Sequence, residues 1–103
     1  MADRRVDSFL SLRPDICAEL KQRYAEPRRH YHTWQHIESL LGNWEKYHQD
    51  LRSPITVELA ILYHDAVYNP EASDNEIQSA ALLRQELSGL VPAQIISDAG
   101  SMI

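Results

Sequence analysis

Residues 53–65 read Ser53-Pro54-Ile55-Thr56-Val57-Glu58-Leu59-Ala60-Ile61-Leu62-Tyr63-His64-Asp65. Serine followed by proline is a helix start signal, because proline at the first helical position gives up an N–H that would have no partner there. Ile55, Val57, Leu59, Ala60, Ile61, Leu62 and Tyr63 then follow, so the helix is apolar on nearly every side. A helix of that kind belongs at the centre of a helical domain, with the others packed around it.

Working outward, the segments on both sides carry helical spacing. Upstream, Ile37, Leu40, Leu41, Trp44 and Leu51 follow Trp34 at a 3.6-residue period. They predict a helix of roughly four to five turns with Thr33 as N-cap. Before it, Ile16, Leu20 and Tyr24 form one apolar stripe of a helix opened by Pro14 and ended by Glu26-Pro27. A short first segment holds Val6, Phe9, Leu10 and Leu12.

Downstream, Tyr68-Asn-Pro-Glu-Ala-Ser reads as a loop. Asp74 caps a fifth helix carrying Ile77, Ala80, Ala81, Leu83 and Leu87, and Ser88-Gly89 ends it. Pro92 opens a sixth with Ile95 and Ile96, which looks unfinished at Ile103. No stretch alternates like a strand. The expectation is an all-α bundle of five to six helices, one domain over residues 1–103.

Composition narrows the function. Ten basic against fifteen acidic residues give a net charge of -5, with no long basic run, which argues against a nucleic-acid polymer as partner. No apolar run is long enough to span a bilayer, and no signal-peptide core follows the N-terminus, so no membrane partner is expected. Cys17 is the single cysteine, so no intramolecular disulfide forms and a reducing, cytoplasmic setting is expected.

Chemistry concentrates in the histidines. His32 and His36 are four apart, a spacing that lets two imidazoles share one helix face. The zinc-protease motif is excluded, because Thr33 stands where that motif needs glutamate. His64-Asp65 closes the most apolar helix, where an ionised carboxylate beside an imidazole calls for a compensating cation. The plainer alternative is His64 stabilising the helix C-terminus with Asp65 in water. Asp74 and Glu76 suit a helix N-terminus, and equally a general base or outer support for the doublet. Arg28 and Arg29 are either a solvated loop or a phosphate anchor. His48, about three turns beyond His36, is too far to join the same site and reads as structural or surface.

Together these residues resemble the HD superfamily, whose signature is a histidine on one helix, a His-Asp doublet on a later one, and a distant aspartate. The strings Glu26-Pro-Arg-Arg-His-Tyr-His-Thr-Trp-Gln-His36-Ile and Tyr63-His-Asp-Ala-Val-Tyr-Asn-Pro, continuing to Asp74-Asn-Glu76 and Ser79-Ala80, look like one family of predicted metal-dependent HD phosphohydrolases. The likeness spans roughly residues 20 to 82. It implies a fold like the HD domain's helical bundle. It also implies His36, His64 and Asp65 as ligands of manganese, magnesium, iron, nickel or zinc. Asp74 or Glu76 would orient or deprotonate a water, and His32, Arg28 and Arg29 would hold the phosphate of a nucleotide or other small phosphoester.

The family carries a further ligand aspartate well downstream and runs to nearly twice this length. Asp98 is the only acid after Glu86, and its surroundings do not resemble that ligand's. The expectation is therefore a truncated or naturally short form that binds its metal more weakly. One side of the fourth helix would be left uncovered, inviting a homodimer over that face. The alternatives are a non-catalytic binding or interaction module and a structural metal site on the same scaffold.

Overall fold

The computed structural model describes residues 9–25, 33–69 and 71–103, and the regular elements among them are all helices, with no strand. Six helices run in chain order: α1 Phe9–Leu12, α2 Pro14–Arg23, α3 Trp34–Tyr47, α4 Pro54–Tyr63, α5 Asn75–Leu87 and α6 Ala93–Met102. A single 3-10 turn, His48–Asp50, follows α3. The fold is all-α.

The starts of these helices follow the local chemistry. Pro14 and Pro54 stand in the first turns of α2 and α4, and Pro92 immediately precedes α6. Thr33, Ser53 and Asp74 occupy N-cap positions, yet none of their side chains bonds the helix N–H groups. Ser53 Oγ bonds Thr56 Oγ1, and Asp74 Oδ2 accepts from Gln78 Nε2 at 3.1 Å. The N-cap expectation therefore holds in position and fails in mechanism. α5 ends before Gly89, whose φ of +83° is a left-handed conformation that glycine adopts without strain.

α4 is central. It packs against α1, α2, α3, α5 and α6, and Leu59, Leu62 and Tyr63 on it are fully buried. The core around it takes Phe9, Ile16, Leu20 and Tyr24 from one side and Leu83, Leu87 and Ala99 from the other. Trp44 Nε1 donates to the Pro54 carbonyl at 2.7 Å, which fixes the end of α3 against the start of α4. Gly100 is buried beside Arg84, and a β-carbon there would lie 3.0 Å from the guanidinium, so a bare backbone lets α6 close on α5.

Two features depart from the sequence pattern. Glu58, on the most apolar helix, is 1% exposed and accepts the Phe9 N–H at 2.7 Å. It satisfies one of the donors that the start of α1 leaves without an intrahelical partner. Ile77, one of the apolar residues that mark the fifth helix, is 69% exposed. The buried face of α5 runs through Ser79, Ala80, Leu83 and Leu87, and at 3.6 residues per turn Ile77 falls about a quarter-turn off it.

Candidate metal centre

Three donor side chains meet at the end of α4. One ligand atom each from His36, His64 and Asp65 lies within 4.8 Å of the others. His36 comes from the first turn of α3, and the doublet from the turn that follows α4. The two imidazole rings stand edge to face, with centroids 5.9 Å apart and planes at 66°. His64 Nε2 and Asp65 Oδ2 are 3.2 Å apart. That separation is close to the edge of a coordination polyhedron whose bonds are about 2.1 Å long.

The end of α4 explains how the doublet is presented. A helix leaves its last four carbonyls without helical partners, and here each one is accounted for. Ala60 O accepts the His64 N–H at 2.9 Å, and Tyr63 O accepts the Ala66 N–H at 3.0 Å. Ile61 O pairs with His64 Nδ1 at 2.7 Å, and Leu62 O accepts the Tyr24 hydroxyl at 2.9 Å. No non-glycine residue among those described has positive φ, so the helix closes with these bonds in place of a left-handed cap.

The bond to Ile61 has a chemical consequence. A carbonyl can only accept, so Nδ1 of His64 carries the hydrogen, and in the neutral ring Nε2 keeps its lone pair. Nε2 is the atom that faces Asp65, so the backbone fixes the tautomer suited to a metal ligand. The hydrogen bond to Asp65 raises the pKa of His64 above its ordinary value, against the opposing effect of burial. A metal ion bound at Nε2 would compete with a proton for the same lone pair.

The loop beyond the doublet is held by α5. Ser79 Oγ accepts the Val67 N–H at 3.0 Å and donates to the Val67 carbonyl at 3.2 Å. Asn75 pairs with Asn69 in the same reciprocal way: Oδ1 accepts the Asn69 N–H at 3.0 Å and Nδ2 donates to the Asn69 carbonyl at 2.9 Å. The Asn69 side chain in turn accepts the Glu71 N–H at 3.0 Å. These clamps fix the first turn of α5, which carries Glu76, against the doublet.

A cleft of about 410 Å³ opens beside the cluster, lined by His64, Asp65 and Glu76 on its polar side. Its apolar wall is Leu40, Val57, Ala60, Ile61, Met102 and Ile103. Glu76 thus shares the cleft with two of the donors. Asp74 is not among the lining residues, and its carboxylate is engaged by Gln78. Arg28, Arg29 and His32, the expected phosphate-holding and catalytic groups, lie outside the described residues. His48 stacks on Trp44 with ring centroids 5.0 Å apart, and its Nδ1 pairs with Glu45 O, away from the cluster.

The residues that hold the site together, Tyr24, Asn75 and Ser79, carry signals of different strength in the chain. Asn75 and Ser79 fall in the short strings that carry the HD resemblance, whereas Tyr24 falls outside those strings and reads only as the end of an apolar stripe.

The chain matches no protein-family model, no curated protein and no solved structure. Among the described residues, no helix is long and apolar enough to cross a membrane.

Proposed function

We propose that this chain carries the metal site of a metal-dependent phosphohydrolase of the HD superfamily, acting on a nucleotide or other small phosphoester. One observation carries the reading: His36, His64 and Asp65 converge from two helices, with the tautomer of His64 fixed by the Ile61 carbonyl. Two imidazoles and a carboxylate suit manganese, magnesium, iron, nickel or zinc. Such an ion, when bound, supplies Lewis acidity toward a phosphoester oxygen and makes a nearby water a stronger acid.

The protein's own groups divide the remaining work. His36, His64 and Asp65 hold the ion and leave positions open for water and substrate, as catalytic sites require. Glu76, exposed on the same cleft, accepts a proton from the attacking water. Asp74 supports the first turn of α5 through Gln78. Arg28, Arg29 and His32 hold the phosphate in this reading.

The test is turnover of simple phosphomonoesters and nucleotides by the metal-loaded chain, beside Glu76→Gln and His64→Ala. The expected result is metal-dependent hydrolysis, with Glu76→Gln keeping its metal and losing turnover by about 10²–10⁴-fold. Bound metal with no turnover of any phosphoester would overturn the catalytic reading in favour of a binding module. If stripping the metal from the wild-type chain with a chelator unfolds it, the metal is structural.

A further inference from the structure

We propose that Tyr24 is a positioning residue of the metal centre, with its hydroxyl shaping the turn that presents His64 and Asp65 and its ring placing the start of α3. The inference rests on the metal reading above.

Tyr24 lies just past the end of α2, and its side chain is buried, at 1% exposure. Filling space there would require only a ring. The hydroxyl does something more specific: it donates to Leu62 O at 2.9 Å and accepts the Asp65 N–H at 3.2 Å. Those two backbone groups bracket His64. One side-chain oxygen therefore spans the doublet from the last turn of α4 to the residue that supplies the carboxylate.

The ring faces the other half of the site. It packs on Trp34 with centroids 6.0 Å apart and planes at 56°. Trp34 opens α3, two residues before His36. Tyr24 is thus in contact with the peptide that carries Asp65 and with the helix start that carries His36. Without its hydroxyl, Leu62 O and the Asp65 N–H lose a shared partner, and the turn relaxes away from the three-donor arrangement.

Tyr63 supplies a matched control. It is equally buried and adjacent to His64 in sequence, but its hydroxyl donates to Glu86 Oε1 at 2.7 Å, away from the cluster. Tyr24→Phe and Tyr63→Phe remove the same atom from two buried rings, and only the first touches the doublet.

The experiment is a cobalt(II) titration of the full chain followed by visible absorption, whose bands report coordination geometry. Wild type, Tyr24→Phe and Tyr63→Phe are compared, with amide hydrogen exchange at Asp65 recorded on each. Tyr24→Phe is expected to bind cobalt about 10–100-fold more weakly, with altered bands and faster exchange at Asp65. Tyr63→Phe is expected to keep the wild-type affinity and bands. A ring-fluorinated tyrosine at position 24 keeps the hydroxyl, weakens it as an acceptor, and should shift the bands in the same sense by less.

Wild-type affinity and bands in Tyr24→Phe would overturn the inference. So would an equal loss in Tyr63→Phe, which would mark the effect as general destabilisation. Should Tyr24→Phe unfold, unchanged bands in the fluorinated protein would overturn it. Wild type that takes up no cobalt would overturn the metal reading itself and this inference with it, an outcome distinct from the others.

Discussion

The turn that carries His64 and Asp65 is held by side-chain hydrogen bonds from two other parts of the chain, whereas the His36 side chain on α3 is exposed. Tyr24 binds the Leu62 carbonyl and the Asp65 N–H, Ser79 clasps both polar groups of Val67, and Asn75 does the same for Asn69. His36 is exposed, on a helix whose N-cap threonine makes no side-chain bond to the helix N–H groups. Two donors therefore sit on a turn pinned by side-chain bonds, and the third projects from a helix start held by the packing of Trp34 and the buried Ile37.

Perturbations that reach the pinned half should cost folding, and those on the open half should cost only metal. The largest effect is expected from Leu62→Ala beneath the doublet. Leu62 is fully buried, so the loss should be about 2–5 kcal/mol in urea unfolding. Out of a total of roughly 5–15 kcal/mol for a domain this size, such a loss would leave a visible unfolded fraction in the weaker cases. A loss well under that range would mean that α4 is not the centre of the bundle.

Ser79→Ala should come next, at about 1–3 kcal/mol, because it strands the Val67 N–H and carbonyl together. Its signature is faster amide exchange at Val67 with α1 and α2 unaffected. His36→Ala should change unfolding by no more than about 0.5 kcal/mol, as an exposed substitution, while metal affinity falls. If His36→Ala destabilised as much as Ser79→Ala, the contrast between the two halves would be broken.

A pH dependence of stability comes from two buried groups outside the donor set. Burial pushes the Cys17 thiol up to about 12 and also raises Tyr63. Both folded-state values lie above the unfolded ones, so the stability they contribute is complete below the unfolded thiol value of about 8.5 and is lost as pH rises toward the folded one. The urea midpoint should fall further as pH rises above about 8.5. Alkylation of Cys17 should follow unfolding, because the native thiol is buried and protonated at neutral pH.

Much of the fold was legible in the chain because its signals are local. Pro14, Ser53-Pro54, Asp74 and Pro92 mark helix starts through backbone restrictions that act within a turn. The all-round apolarity of residues 55–63 identified the central helix because burial on every side leaves no other place for it. The His-Asp doublet stands out in the chain because it closes the least polar helix, and the structure brings it beside His36.

What the sequence did not disclose depends on distant approach. Glu58 looks like a solvated residue until α1 delivers the Phe9 N–H to it. Tyr24 reads as the last rung of an apolar stripe, and its hydroxyl acquires a role only because α2 ends against the end of α4. Ile77 fits a generous apolar pattern, but the face of α5 that is buried is set by where α4 and α6 lie.

The central claim is that His36, His64 and Asp65 form a metal site. Its most direct test is elemental analysis of the purified chain after incubation with manganese, nickel or zinc, beside a His64→Ala, Asp65→Ala double variant. Near-stoichiometric metal in the wild type that disappears in a folded variant is the predicted result. A wild-type chain that retains no metal, or a variant that retains as much, would contradict it.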